Sequence, residues 1–587
     1  MKKFLLSMAL VLCTMGAMAQ NTIDLTFNRD NSAAGTDATV TVGNTGDVDI
    51  TGIASTVACN FQWKSLTANS TTFPNSNILC PDENTKLMKN DNEGVITLTL
   101  TGVPFNYEIN KVTFTSVALN SSGAFQSDNA NAQKIDFILL NQSDTEIARQ
   151  NEIAIKVNSA NGESVVVNLV PESAIRAENG TVTFKLKLVN NYTENGCFYG
   201  LFKVSLTTDV RPTAYTISEK LTATDLMNAT EPVYIAIKNL SYTNNRWFVG
   251  NTGAVPYSKE EFTEDAVFVW EPVTAGTAGS YRLRKLNGDY MQTSAPKDFG
   301  TIDAAATFTA IAPSGTASTF NSDDDSNLYI TGDDDANLVR FVKGSNWINV
   351  QNGANGTPTY NTGLGGWTIH YVYGVTEVMD FSANITDAGY STFYAPANVE
   401  IPTDVKAYYI TSEGVNTDYV SMTEITAGVI PANTAVILEG AQDNYTFNVS
   451  DAEVTAVSDN LLKGTVESTN VIGDAYVLSN PSEGVGLYKT QMTEVQLSSN
   501  SGKVNVFLNN ANKAYLPASA VPAAAQASNG FRFGEGTTGI DEITENREQS
   551  TDNRVQSTVI YDLTGRRVEA ITAPGIYIVG GKKVLVK

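Results

Sequence analysis

Val182–Thr183–Phe184–Lys185–Leu186–Lys187–Leu188–Val189 alternates apolar and polar side chains without a break. A period of two puts one set of side chains on a buried face and the other in water, the pattern of a half-buried β-strand. The same kind of run returns from Val95 to Leu100, Lys111 to Val117, Lys134 to Leu140, Ser164 to Leu169 and Gly200 to Thr207, with Asn, Gly and Ser turns between. Helical periodicity is confined to Ser218 to Asn228 and to the Ala-rich stretch from Ala518 to Ser528. The chain is therefore expected to be all-β. Without strand–helix alternation, a doubly wound sheet or a (β/α)8 barrel is excluded. Residues 20–208 are expected to form a jelly-roll-like β-sandwich.

The chain has 587 residues, and at roughly 100–200 residues per domain that predicts several cores. Its composition, 42% hydrophobic and 17% charged, is that of folded domains. The 62 acidic residues outnumber the 38 basic ones, for a net charge of −24. Such a surface repels phosphate backbones and anionic lipids, so nucleic acid is not an expected partner. His370 is the only histidine, which leaves imidazole-based catalysis or metal clusters little to work with. It lies in the alternating run Trp367–Thr368–Ile369–His370–Tyr371–Val372, a predicted strand. No Walker-type loop, Cys-x-x-Cys or His-Glu-x-x-His pattern occurs.

Met1–Lys2–Lys3, the apolar run from Phe4 to Cys13, and Ala17–Met18–Ala19 have the layout of a signal peptide, placing 1–19 outside the mature chain. Losing Lys2 and Lys3 takes the charge to −26. Leu12 stands where a lipoprotein box carries a small residue before the acylated cysteine, which argues against Cys13 in that role. No later run approaches the ~18–20 apolar residues of a membrane span. At the other end, 541–557 is polar and reads as a linker. From Val559 onward the pattern is strand, turn, strand, turn, strand, a small β-meander over 558–587 with five basic residues against Asp562 and Glu569. The tail resembles the C-terminal sorting domain of type IX secretion substrates at Gly565–Arg566–Arg567–Val568, at Pro574–Gly575–Ile576–Tyr577 and at the last strand with Lys583. That resemblance implies an outer-membrane secretion machinery as partner and a secreted or surface location. The competing reading is a terminal meander belonging to the preceding domain.

Residues 229–372 repeat themselves. Val233 to Asn239, Trp247–Phe248–Val249 and Val267 to Trp270 follow the same order as Tyr281 to Lys285, Tyr290–Met291–Gln292 and Ala306 to Thr309. The order recurs in Val339 to Lys343, Trp347–Ile348–Asn349 and Gly366 to Ile369. Copies this short cannot each bury a core, so they are expected to share one. The stretch resembles a ricin-B-type β-trefoil, but lacks that family's Gln-x-Trp triplet, with Phe268–Val269–Trp270 nearest to it. Trp247, Tyr290 and Trp347 are candidate sugar-stacking rings, with Asn251, Asp289 and Asn349 as polar partners. Rings at such positions also serve as core plugs, the more frequent use. Asp323, Asp325, Asp333 and Asp335, from two Asp triplets, are candidate Ca²⁺ ligands, although their spacing fits no EF-hand and solvated acidic turns are the alternative.

Leu100 to Ile109 and Ala118 to Gln126 resemble lectin-like sandwich modules of surface proteins. Cys59 and Cys80 lie 21 apart in this exported unit and are a candidate disulfide, leaving Cys197 as a buried thiol. In residues 378–535, Gly389 to Pro396, Ile430 to Gly440 and Asn512 to Ser519 resemble an accessory β-domain that precedes such sorting tails, read as a spacer. Together these readings predict a non-catalytic, surface-displayed protein that binds glycans or a matrix or cell-surface ligand. The alternatives are a glycosidase-like hydrolase with its carboxylates in the N-terminal sandwich, and a ligand-free structural protein.

Overall fold

Alternating runs become strands wherever their apolar side can meet another apolar face, and two such faces meet within residues 21–210. The computed structural model describes residues 21–29, 38–59, 93–119, 133–155, 165–190, 198–239, 246–250, 257–313, 337–349, 357–362, 368–496, 503–526, 528–534, 540–542, 560–562, 567–568, 575–579 and 582–586. Residues 1–19, read as a signal peptide, Cys80, Cys197, Asn251, the four candidate aspartates, Gly565, Arg566 and Pro574 lie outside the described residues. The chain is all-β, and among the described residues α1 (Ala223–Asn228) is its one α-helix. It divides into two compact units, Met1–Pro212 and Thr213–Lys587.

Among the described residues the first unit is a sandwich of eleven strands: β1 (Thr22–Arg29), β2 (Ala38–Thr45), β3 (Ala54–Cys59), β4 (Glu93–Thr101), β5 (Tyr107–Leu119), β6 (Gln133–Asn141), β7 (Glu146–Ile155), β8 (Val165–Leu169), β9 (Ile175–Arg176), β10 (Thr181–Asn190) and β11 (Phe198–Val210). One sheet runs β2-β1-β11-β5-β8 with β9 on β5, the other β3-β4-β10-β6-β7. Val182, Phe184, Leu186 and Leu188 of the run quoted first are buried in one core with Ile23, Leu25 and Phe27 of β1. Asp24 ties β1 to its two neighbours, accepting from Ser205 Oγ at 2.6 Å and Thr45 Oγ1 at 2.9 Å, with Lys203 Nζ at 3.0 Å. Burial alone would raise its pKa, but the bonds from Ser205, Lys203 and Thr45 outweigh it and hold the carboxyl below its ordinary value.

The second unit opens with β12 (Ala214–Leu221), so the helix expected from Ser218 starts late. Thr222 is the reason: its hydroxyl accepts from Asp225 N while the Asp225 carboxylate accepts from Thr222 N, a capping box that sets the start of α1. Twelve strands follow: β13 (Val233–Asn239), β14 (Trp247–Phe248), β15 (Ser258–Lys259), β16 (Val267–Thr274), β17 (Thr277–Lys285), β18 (Tyr290–Met291), β19 (Phe299–Gly300), β20 (Thr309–Ile311), β21 (Leu338–Lys343), β22 (Asn346–Asn349), β23 (Thr359–Asn361) and β24 (His370–Val378). Antiparallel pairing runs β13-β16-β17, β20-β21-β24 and back to β13. Tyr281 and Phe308 exchange backbone bonds of 3.0 and 2.8 Å, joining β17 to the segment leading into β20 and closing the ring. The second and third strands of each set of four, β14-β15, β18-β19 and β22-β23, pair as hairpins. The result is a six-stranded ring from which three hairpins project. The shared core holds Ile235, Phe268, Trp270, Tyr281, Leu283 and Phe341.

The helix α1 packs against this core. Trp270 Nε1 donates to Leu226 O at 2.9 Å, and Tyr281 OH donates to Met227 O at 2.6 Å. The two rings stack with centroids 4.6 Å apart.

Residues 380–534 form further sheets. One joins Tyr390–Phe393, Val436–Gly440, Val405–Tyr409 and Thr423–Glu424, and another includes Gly530–Phe533, Gly486–Lys489, Ala475–Ser479 and Lys513–Pro517. Among the described residues the Ala-rich stretch is not an α-helix, because Pro517 precedes it and Pro522 interrupts it, and Ala518–Ala520 closes a 3-10 turn. The last sheet orders Ile540–Glu542, Lys582–Val586, Gly575–Val579, Ile560–Asp562 and Arg567–Val568. Its first strand pairs parallel to Lys582–Val586, so the segment read as a linker from 541 begins inside a strand.

Trp270→Ala is expected to lower stability by about 3–5 kcal/mol, through the cavity and the lost stack. Trp270→Phe is expected to lower it by about 1–3 kcal/mol, because the Leu226 carbonyl is left buried without its donor. Denaturant unfolding of both variants against the parent chain checks this ordering.

Candidate functional site

Three equivalent dipeptides head the hairpins of the ring: Trp247–Phe248, Tyr290–Met291 and Trp347–Ile348. The second member of each, Phe248, Met291 and Ile348, is buried in the barrel core. Strand alternation turns the first member the other way. The core plugs are thus one residue beyond the rings that the sequence singled out.

The three outward rings have different surroundings and do not form one site. Trp247 is 1% exposed, with Phe262 and Tyr373 edge-on at 5.2 and 5.3 Å and Lys238 Nζ over its ring at 4.8 Å. It offers no face to a sugar. Tyr290 and Trp347 are half-buried, Trp347 beneath the Arg340 guanidinium at 5.7 Å. Asp289 closes the β17–β18 turn, its carbonyl accepting from Lys285 N at 2.8 Å and its carboxylate from Asn287 Nδ2 at 2.9 Å. Asn349 is 3% exposed and so cannot serve as a surface partner.

Repeat one differs from the others because the 380–534 portion covers it. Lys238, opposite Trp247 in the β13–β14 register, forms an ion pair with Glu467, and both side chains are almost fully buried. The equivalent residue in repeat two, Arg284, pairs instead with Glu271 of its own barrel at 3.0 Å. Trp247, Phe262 and Tyr373 share a core cluster with Tyr394, Ile437, Leu462 and Leu516. Residues 380–534 therefore pack on the barrel.

A cleft of about 610 Å³ opens beside this ion pair, lined by Lys238, Glu260 and Glu261 from the barrel side and by Tyr394, Asn433 and Tyr515 among others from 380–534. Three segments quoted from the sequence converge here. Tyr394 OH donates to Asn433 Oδ1 at 2.9 Å, and Tyr394 and Asn512 exchange bonds, Tyr394 N to Asn512 O at 3.0 Å and Asn512 Nδ2 to Tyr394 O at 3.0 Å. Asn433 and Asn512 both take positive φ, 58° each, a conformation Asn tolerates better than most residues. Burial, with Glu261 and Glu467 nearby, pushes the Tyr394 pKa well up. Burial and Glu467 push that of Tyr515 up to about 12. Both phenols are thus neutral hydrogen-bonding groups at ordinary pH. The cleft also carries the carboxylates of Asp459, Glu260 and Glu261. Sequence reading passed over these residues, since nothing in a strand pattern shows which loops meet.

His370 is 0% exposed. Its Nε2–H donates to Ile348 O at 3.2 Å. Burial lowers its pKa to about 4, against the backbone bond that raises it and with Arg340 lowering it further. The ring is a neutral structural group.

The described carboxylates of the sandwich are largely engaged, Glu108 by Arg176 and Arg211 and Asp144 by Lys185. Cys59 falls in β3.

No family model matches the chain, and no curated protein matches it. Among solved structures, one described as a membrane anchored protein from Corynebacterium diphtheriae aligns over 88% of this chain and 99% of its own, at 8% identity and a TM-score of 0.10. A likeness that slight carries neither fold nor function.

Two outcomes are expected. Lys238→Met leaves Glu467 buried and unpaired and is expected to cost about 3–5 kcal/mol, most of it recovered in Lys238→Met/Glu467→Leu. A double-mutant cycle by denaturant unfolding measures both. For His370, the unfolded ring protonates near its ordinary pKa while the folded ring resists down to about 4. Its contribution is whole above the unfolded value and is lost as pH falls toward the folded one, at about 1.4 kcal/mol per pH unit. His370→Gln is expected to flatten that part of the stability–pH curve.

Proposed function

We propose that the chain is an exported, surface-displayed, non-catalytic protein that binds carbohydrate. The observation that carries this reading is the cleft at the joint between barrel and 380–534. It gathers the half-buried Tyr515 phenol with the amide and hydroxyl groups of Asn433, Thr465 and Thr469 in one open concavity. A polyhydroxylated ligand needs such groups, with aromatic faces against its C–H surface and hydrogen-bonding side chains for its hydroxyls. The walls carry Glu260, Glu261 and Asp459 against Lys238 and Lys463, an excess of one carboxylate that suits a neutral or amino sugar better than an anionic one. The half-exposed Tyr290 and Trp347 are secondary contacts in this reading. Export and display rest on the N-terminal segment and on the tail's resemblance to type IX sorting domains.

A non-catalytic role accords with a buried, neutral His370. Binding of the full chain to an array of neutral and amino glycans tests the proposal. A selective signal that Tyr515→Ala weakens by about tenfold is expected, tenfold being the loss of one good contact. A blank array overturns the proposal in favour of a structural role, and turnover of any bound glycan overturns its non-catalytic part.

A further inference from the structure

A second cleft, of about 540 Å³, lies among residues 384–392, 477–490 and 507–514. Among the described residues that line it there is no Asp or Glu, Asp387 and Glu483 of the same segments not being on its walls, and Lys513 carries the one formal charge. Lys513 is half-buried, and its Nζ donates to Ser391 Oγ at 3.1 Å and to Thr392 O at 3.3 Å, both neutral acceptors. An ammonium has three N–H donors, so one is left for a further partner. Among the described residues no carboxylate pairs with it. Glu439, opposite Tyr390, accepts from the Tyr390 and Tyr408 hydroxyls at 3.3 and 2.7 Å. Exposed Asn384, Ser479, Asn480 and Asn510 ring the cleft, and Leu508 beside them is 60% exposed.

We infer that this cleft binds the monoanionic group of an acidic glycan, with Lys513 Nζ as its counter-charge and the neighbouring amides on its hydroxyls. One cation with neutral acceptors and a free donor matches one negative charge, and neutral walls add no repulsion. Leu508 supplies apolar surface for a ring face. Burial pushes the Lys513 pKa down, a cost that a bound anion relieves. The inference rests on the carbohydrate reading above and assigns this second site the charge class that the first cleft disfavours.

The test is calorimetric titration of the full chain with three probes: a tetrameric uronate, its carboxyl-reduced neutral counterpart, and a sulfated tetramer of the same length. The uronate is expected to bind at least about tenfold more tightly than the reduced probe. Lys513→Gln abolishes that preference and Lys513→Arg keeps most of it, since the charge is retained. Asn480→Asp leaves the Lys513 contacts intact, adds a carboxylate at an exposed position and is expected to weaken uronate binding by repulsion, which guards against a misfolded Lys513 variant. Preference for the sulfated probe, lost in Lys513→Gln, supports the site with a sulfate ester as the source of the anion. Equal binding of uronate and reduced probe, or unchanged uronate binding by Lys513→Gln, overturns the inference. Binding of neutral glycans with none of the acidic ones overturns it while sparing the first cleft. No binding to any probe or array glycan overturns both.

Discussion

Closure of the six-stranded ring is the constraint on which the second unit depends. Strand β13 pairs with β16 on one side and β24 on the other, so residues more than a hundred apart must meet before any repeat has a complete wall. Each repeat offers one apolar plug from its hairpin, and none could shield it alone. Closure also removes sheet edges from the ring, which protects it from pairing with other chains. The Trp270–Tyr281 stack shows how the shared core is held to α1, because both rings bond carbonyls of residues in or just after that helix.

Three-fold symmetry then makes the departures informative. Position for position, Lys238 and Arg284 are equivalents, yet one is buried against Glu467 and the other pairs within the barrel. The difference marks the face of repeat one as the one that residues 380–534 cover. Burying two charges there costs several kcal/mol per ion, an expense that apolar packing would avoid. What the pair supplies is a fixed meeting point, since either charge left alone is strongly penalised. The joint is also where the first cleft forms.

The two clefts differ mainly in charge. The first has Glu260, Glu261 and Asp459 with Lys238 and Lys463 on its walls, the second a single ammonium held by neutral oxygens. Segment Tyr390–Phe393 and the residues after it connect them. Ser391 and Thr392 hold Lys513 on one side, and Tyr394 reaches Asn433 on the other. A short stretch of chain thereby fixes groups in both sites.

Much of this fold was legible beforehand. Val182 to Val189 announced a sandwich strand, and the recurring aromatic-headed triplets located the first, second and last strands of the repeats, with the third closing strand falling just after the stretch read for it. The two- and three-residue strands β15, β19 and β23 went unread, since so few residues show no period. Capping chemistry at Thr222 and the two prolines around Ala518 to Ala520 overrode an apparent helical pattern. The candidate site was far less legible. Trp247 looked like its neighbours' equal, and only the packing of another portion of the chain buried it. Lys513 and Tyr394 lie 119 residues apart in sequence, and no local pattern pairs them. Periodicity and turn chemistry act between near neighbours, so the sequence by itself determined strands, repeats and overall charge. Which side chains share a cleft, and which charges are left without a partner, depend on contacts between distant segments, and only the tertiary structure decided them.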